Sequence, residues 1–84
     1  MDSIIKKLEE LIKPEMEKMD IVLDSIEWIE EKNNNTLKVV LDKVNGIDLD
    51  AIVDATNIIN PILDEHDLIT EQYTLEVSSK ERGN

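Results

Sequence analysis

Aliphatic residues recur at Ile4, Ile5, Leu8, Leu11 and Ile12, then Met16 and Met19, at spacings that line one stripe of a helix opened by Ser3. Pro14 falls inside this pattern and removes the N–H that would bond to the carbonyl of Glu10, which predicts a bend. The helix is expected to stop near Asp20, because Asp is one of the few non-glycine residues that tolerate a left-handed terminal conformation.

From Ile21 to Glu31 the pattern changes to an imperfect alternation. Leu23 is out of phase with Ile26 and Trp28, so a bulge is expected near Asp24 and Ser25. Lys32 and Asn33 to Asn35 form a polar turn, after which Thr36 to Lys43 alternates cleanly, with Leu37, Val39 and Leu41 on one face. Two strands joined by so short a loop read as an antiparallel hairpin. Asn45 and Gly46 break the second strand, and Asp48 is placed to cap a second helix. Its expected stripe is Leu49, Ile52, Val53, Thr56, Ile59 and Leu63, flanked by Ile58 and Ile62. Pro61 should weaken its last turns, and Asp64 to Gln72 reads as an acidic loop. Tyr73, Leu75 and Val77 then alternate with Thr74, Glu76 and Ser78 as a third strand.

The predicted order is α-β-β-α-β, an α+β fold in two layers. The second helix is a crossover between strands two and three, which should therefore be parallel. The simplest sheet places strand one between them, in the order 2-1-3, with both helices on one face. The opposite face, carrying Val40 and Ile29 among charged neighbours, is left for solvent or for a partner.

Composition narrows what such a fold can do. The chain has 84 residues, enough for one domain but not for two or for a large enclosed active site. It has no cysteine and a single histidine, His66, which excludes disulfides, thiolate metal sites and multi-histidine sites. Twenty acidic residues against nine basic ones give a net charge of -11, which disfavours a phosphate-binding surface and favours a basic partner. The 40% hydrophobic content, set in ordered patterns, opposes disorder. No signal peptide or membrane span fits the apolar runs, so the cytoplasm is the default compartment.

Candidate chemistry is sparse. The carboxylate pairs Glu9 and Glu10, Glu30 and Glu31, and Asp64 and Glu65 are adjacent in sequence, and lack the burial that acid–base catalysis requires. Asp64, Glu65, His66 and Asp67 are sequential rather than convergent, so no metal is expected, and Asp48 and Asp50 would repel an anion at the second helix. Trp28 and Tyr73, the only aromatics, read as core packing rather than base-stacking platforms. No cofactor is expected.

The stretch from Leu41 to Ser79, LDKVNGIDLDAIVDATNIINPILDEHDLITEQYTLEVSS, resembles the N-terminal domain of RimP, the bacterial ribosome maturation factor. The resemblance begins at Pro14, passes through Ile26, Glu27 and Trp28, and is strongest from Leu41 onward. The chain departs from the family pattern at Asp20, usually Gly, at Thr56 and Asn57, and at Lys80 and Glu81, where Pro-Gly is usual. The resemblance implies a non-enzymatic assembly factor for the 30S small ribosomal subunit. Its implied partners are small-subunit protein, with protein twelve of that subunit the candidate, and ribosomal RNA; the charge count favours a basic protein among these and makes any contact of this domain with RNA weak. RimP proteins carry a second, Sm-like barrel domain after this one, so residues 1–84 are expected to be a single N-terminal domain without it.

Acid clusters near Asp42, Asp64 and Glu76 offer charge-assisted contacts to a basic chain, and Ser78 and Ser79 mark a boundary where a partner could bind. Two rival readings remain. An RNA-binding α/β module would need a basic face, for which the loose grouping of Lys38 and Lys43 is the best available; an acylphosphatase-like hydrolase would need an anion-holding Arg, and the only one is Arg82.

Overall fold

The computed structural model describes residues 2–80; Glu81 and Arg82 therefore lie outside the described residues. The elements are α1 (Asp2–Glu17), β1 (Val22–Glu30), β2 (Asn35–Asp42), α2 (Leu49–His66) and β3 (Thr74–Ser79). The α+β order matches the sequence pattern.

Pro14 sits inside α1 without ending it. The helix runs three residues further, to Glu17, and is closed off at Asp20, which takes φ 60. The Asp20 N–H donates to the Glu17 carbonyl at 3.0 Å and the Ile21 N–H to the Met16 carbonyl at 2.9 Å. This pair of bonds is a Schellman cap, which satisfies carbonyls that a helix end would otherwise leave open and turns the chain directly into β1. At the other helix, the Asp48 carboxylate accepts from the Ala51 N–H at 2.9 Å, as its position before the apolar stripe predicted.

β1 pairs with β2 antiparallel, and the register slips between Leu23 and Ser25, so that Asp24 is the extra residue. The slip has a clear consequence. It returns Leu23 to the face that holds Ile26 and Trp28, opposite Leu41, Val39 and Leu37 respectively. β3 pairs with β2 parallel, placing Leu75 beside Leu37 and Val77 beside Val39.

The strand order is β1-β2-β3, with β2 in the centre, which corrects the expected order 2-1-3. Strand one does not separate the crossover strands and pairs only with β2. The reason is physical: β1 carries the bulge and the acids Asp24, Glu27 and Glu30, features suited to an edge. β2 has regular alternation, and Leu37, Val39 and Leu41 are 0% exposed there.

Both helices cover the face that holds these three residues. Leu8, Ile12 and Met16 of α1 and Ala55, Ile59 and Leu63 of α2 close the core. Two expectations for α2 fail. Leu49 and Val53 do not join its buried stripe but remain 76% and 50% exposed, and Ala55 takes the place nearest the sheet. Asp64, Glu65 and His66 belong to the helix rather than to a loop, because α2 continues past Pro61 to a left-handed cap at Asp67, whose N–H reaches the Leu63 carbonyl.

Two substitutions test this account. Asp20→Gly relieves the left-handed strain and should raise stability by about 0.5–1 kcal/mol in chemical denaturation. Val39→Ala should cost about 1–3 kcal/mol, whereas Val40→Ala on the uncovered face should cost well under half as much. Equal costs would mean that the covered face is misassigned.

Candidate functional site

Two acidic surfaces emerge. The first is the uncovered face of the sheet. Its central row runs Glu27, Lys38, Glu76 across the three strands, so one ammonium is flanked by two carboxylates. The next row is Ser25, Val40, Ser78, and Asp42 follows on β2. The Asp42 carboxylate accepts from the Lys43 N–H at 2.8 Å. Lys80 reaches across the sheet to Asp24 at 3.1 Å, a half-exposed ion pair of small energetic weight.

The second surface is an open cleft of ≈ 870 Å³ at the opposite end of the sheet, between the β1–β2 turn, the last turns of α2 and the approach to β3. Glu31, Asp64 and Glu71 line it against a single Lys32. Amides from Asn33, Asn60 and Gln72 complete the wall. Asn35 holds two sides together, donating to the Gln72 carbonyl at 3.2 Å and to the Glu71 carboxylate at 3.4 Å.

Tyr73 lines this cleft with its ring edge-on to Trp28, centroids 5.9 Å apart. Both rings pack, partly buried, against the core, in keeping with the sequence reading. The Trp28 indole N–H donates to Glu30 at 3.0 Å. The Tyr73 hydroxyl titrates above its ordinary value of 10.0, first because it is withdrawn from water and then because Asp64 and Asp67 repel the phenolate.

The sequence-predicted residues therefore do not form one site. Asp42, Glu76 and Ser78 share the uncovered sheet face, and Asp64 belongs to the cleft. Ser79 stands beside Leu41, at the end of β3, with the parity of the covered face. Sequence reading set Glu31 aside as one of an adjacent carboxylate pair and passed over Glu71, Asn60 and Gln72; the only linear signal of the wall is the run Asn33 to Asn35, which Asn35 joins to Gln72 through tertiary contact.

Among the described residues no polar or charged side chain is buried, and no group of three or more His, Asp or Glu converges to hold a metal. Asp64, Glu65 and His66 are spread around the last turn of a helix and exposed. No helix among the described residues is long and apolar enough to cross a membrane.

Because Tyr73 is the sole tyrosine, tyrosinate absorbance reports it directly. Its midpoint should lie above 10.0, and Asp64→Asn should lower it by removing one repulsive charge. A raised folded-state value means that the native form holds the proton more tightly than the unfolded chain. The corresponding stability is complete below 10.0 and is lost as pH rises through the folded value; Tyr73→Phe should remove that alkaline component.

Residues 11–80 match the RimP N-terminal domain, a span that takes in the end of α1, the whole sheet and α2. The chain belongs to the RimP N-terminal domain family, and so to the ribosome maturation factors.

Proposed function

We propose that this domain is a non-enzymatic assembly module for the 30S subunit in the cytoplasm, and that it holds a basic small-subunit ribosomal protein against its acidic surfaces. By family resemblance, protein twelve of that subunit is the leading candidate. Family membership supplies the ribosome. The choice of protein over RNA is supported by one observation in particular: both of the surfaces described above have acids in excess. Lys38 is flanked by Glu27 and Glu76, and Lys32 faces Glu31, Asp64 and Glu71. A phosphate backbone approaching either surface meets net repulsion, while a lysine- and arginine-rich chain is drawn in and oriented.

Asp42, Asp64 and Glu76 are proposed as contacts, in two groups, since Asp64 lies on a different face from the other two. Ser78 and Ser79 stand at the end of β3, where a partner would pass from one face to the other.

The test is binding of the 84-residue chain to purified small-subunit proteins and to small-subunit RNA fragments, each at two salt concentrations. We expect protein binding that weakens with salt, and RNA binding that is weak throughout. Asp64→Lys and Glu76→Lys should each weaken protein binding by about 1 kcal/mol, roughly fivefold. Tight RNA binding without protein binding would overturn the assignment.

A further inference from the structure

The sheet has two edges, and they are built differently. β1 is a poor template for another strand: its ladder is broken at Asp24, and Asp24, Glu27 and Glu30 charge it along its length. β3 has fewer of these protections. Thr74 to Ser79 runs in unbroken register with β2, contains no proline, and carries one charged residue, Glu76, on the uncovered face. Lys80, the kind of residue that commonly guards an edge, is instead drawn across the sheet to Asp24.

Backbone direction follows from one bond. The Lys80 N–H donates to the Leu41 carbonyl at 2.7 Å, so residue 80 faces β2. Because alternate residues of a strand point their N–H and C=O groups to opposite sides, Thr74, Glu76 and Ser78 also face β2. Leu75, Val77 and Ser79 then present theirs outward, where among the described residues no strand lies.

α2 overhangs this same edge. Its Asn60 and Asp64 share the cleft wall with Thr74 and Leu75, so that flank of the helix looks onto β3. Leu49 and Val53 continue the stripe toward the helix start, at spacings of four and seven. Because α2 starts after β2 ends and β3 runs parallel to β2, the topology directs this part of the flank toward the later half of β3. Leu49 and Val53 are among the four large apolar side chains most exposed in the domain, at 76% and 50%. Exposed main-chain groups beside an exposed apolar ledge are the two halves of a strand-binding groove.

We propose that the outer edge of β3 is a strand-addition site. An extended segment of the partner protein would pair with the backbone of Leu75, Val77 and Ser79 and rest its alternate apolar side chains on Leu49 and Val53. The inference rests on the reading that the partner is a basic protein, and charge selects the occupant within that reading. Asp64, Glu71 and Glu31 gather at the cleft end of the groove against Lys32, so the segment carries lysine or arginine there. A second copy of this chain brings its own net charge of -11 and is repelled.

Amide hydrogen exchange on the full chain tests this, with two probes: purified basic small-subunit proteins, and a synthetic peptide of alternating valine and lysine. On saturation the amides of Leu75, Val77 and Ser79 should slow by about tenfold or more, while those of Thr74, Glu76 and Ser78, already in the ladder, stay unchanged. Ser79→Pro removes one outward N–H from an exposed residue, and Leu49→Gln with Val53→Gln strips the ledge. Each should weaken binding by about tenfold with thermal unfolding unchanged. A basic protein that binds while the three edge amides exchange as before, and that binds both variants normally, overturns strand addition and leaves the proposed function standing. If no basic protein binds, that function falls, and the peptide decides the edge: protection supports the site and its absence overturns it. Protection that grows with protein concentration alone would assign the edge to a second copy and overturn the basic occupant.

Discussion

Leu37, Val39 and Leu41 are wholly withdrawn from solvent in the middle of a three-stranded sheet, which requires a strand on either side and helices above. Eighty-four residues leave little else from which to make a core. Each of the three has a cross-strand partner on β1 and another on β3: Trp28 and Leu75 beside Leu37, Ile26 and Val77 beside Val39, Leu23 and Ser79 beside Leu41. The Asp24 bulge matters because it repairs the third of these rows. Without it Leu23 would point to the uncovered face and Leu41 would lose an apolar neighbour. The left-handed turn at Asp20 has a related role, since it ends α1 where Ile21 can enter the core at 2% exposure.

With every buried position apolar, all the charge of the described residues is on the outside. A net charge of -11 on so small a body opposes compaction, so the buried aliphatics must hold against that self-repulsion as well as against chain entropy. The acidic surface therefore carries a standing cost in stability. A basic partner of the kind proposed would relieve this cost on contact, and binding would then be coupled to the stability of the fold.

Much of this was legible in the chain. Element order, the Asp48 cap, the left-handed Asp20 and the bulge all follow from local rules, because each is decided within a few residues. Strand order is different: periodicity says which face of a strand is wet but not which strands are neighbours. A usable clue was present, in that a bulged, acid-bearing strand belongs at an edge while β2, apolar at Val40 as well as at its covered positions, belongs in the centre. The α2 stripe was misjudged because Leu49 and Val53 satisfy helical spacing while lying on a flank that the described elements leave largely exposed, and Ala55, a small residue, takes the inner line instead. Small residues are what let a helix axis approach a sheet, so alanine on the inner line is a packing signal that hydrophobicity alone underrates. The candidate site was legible as composition but not as place. Asp64 and Glu76 are twelve residues apart and on different layers, joined only by a crossover whose geometry no local pattern fixes.

The exposed apolar residues are not scattered. Val22 opens β1 and Val44 follows β2, and the two share a shallow depression. Leu49 and Val53 occupy the first turns of α2, which begins where β2 ends, and β3 runs parallel to β2 and finishes at the same end. A single exposed aliphatic needs no explanation, but four at one end of a domain this short represent apolar area that a minimal core could have used. The opposite end, by contrast, is amide-rich and acidic, with Asn35, Asn60 and Glu71 about the cleft. β3 connects the two, passing from the acidic cleft at Thr74 to the apolar end at Ser79 along an edge that no described strand covers. A ligand following that strand would meet charge first and apolar surface last. Charge acts at a distance and sets encounter rate, while apolar contact acts only on arrival and sets residence time, so for the proposed occupant the layout would separate capture from retention along six residues of one strand.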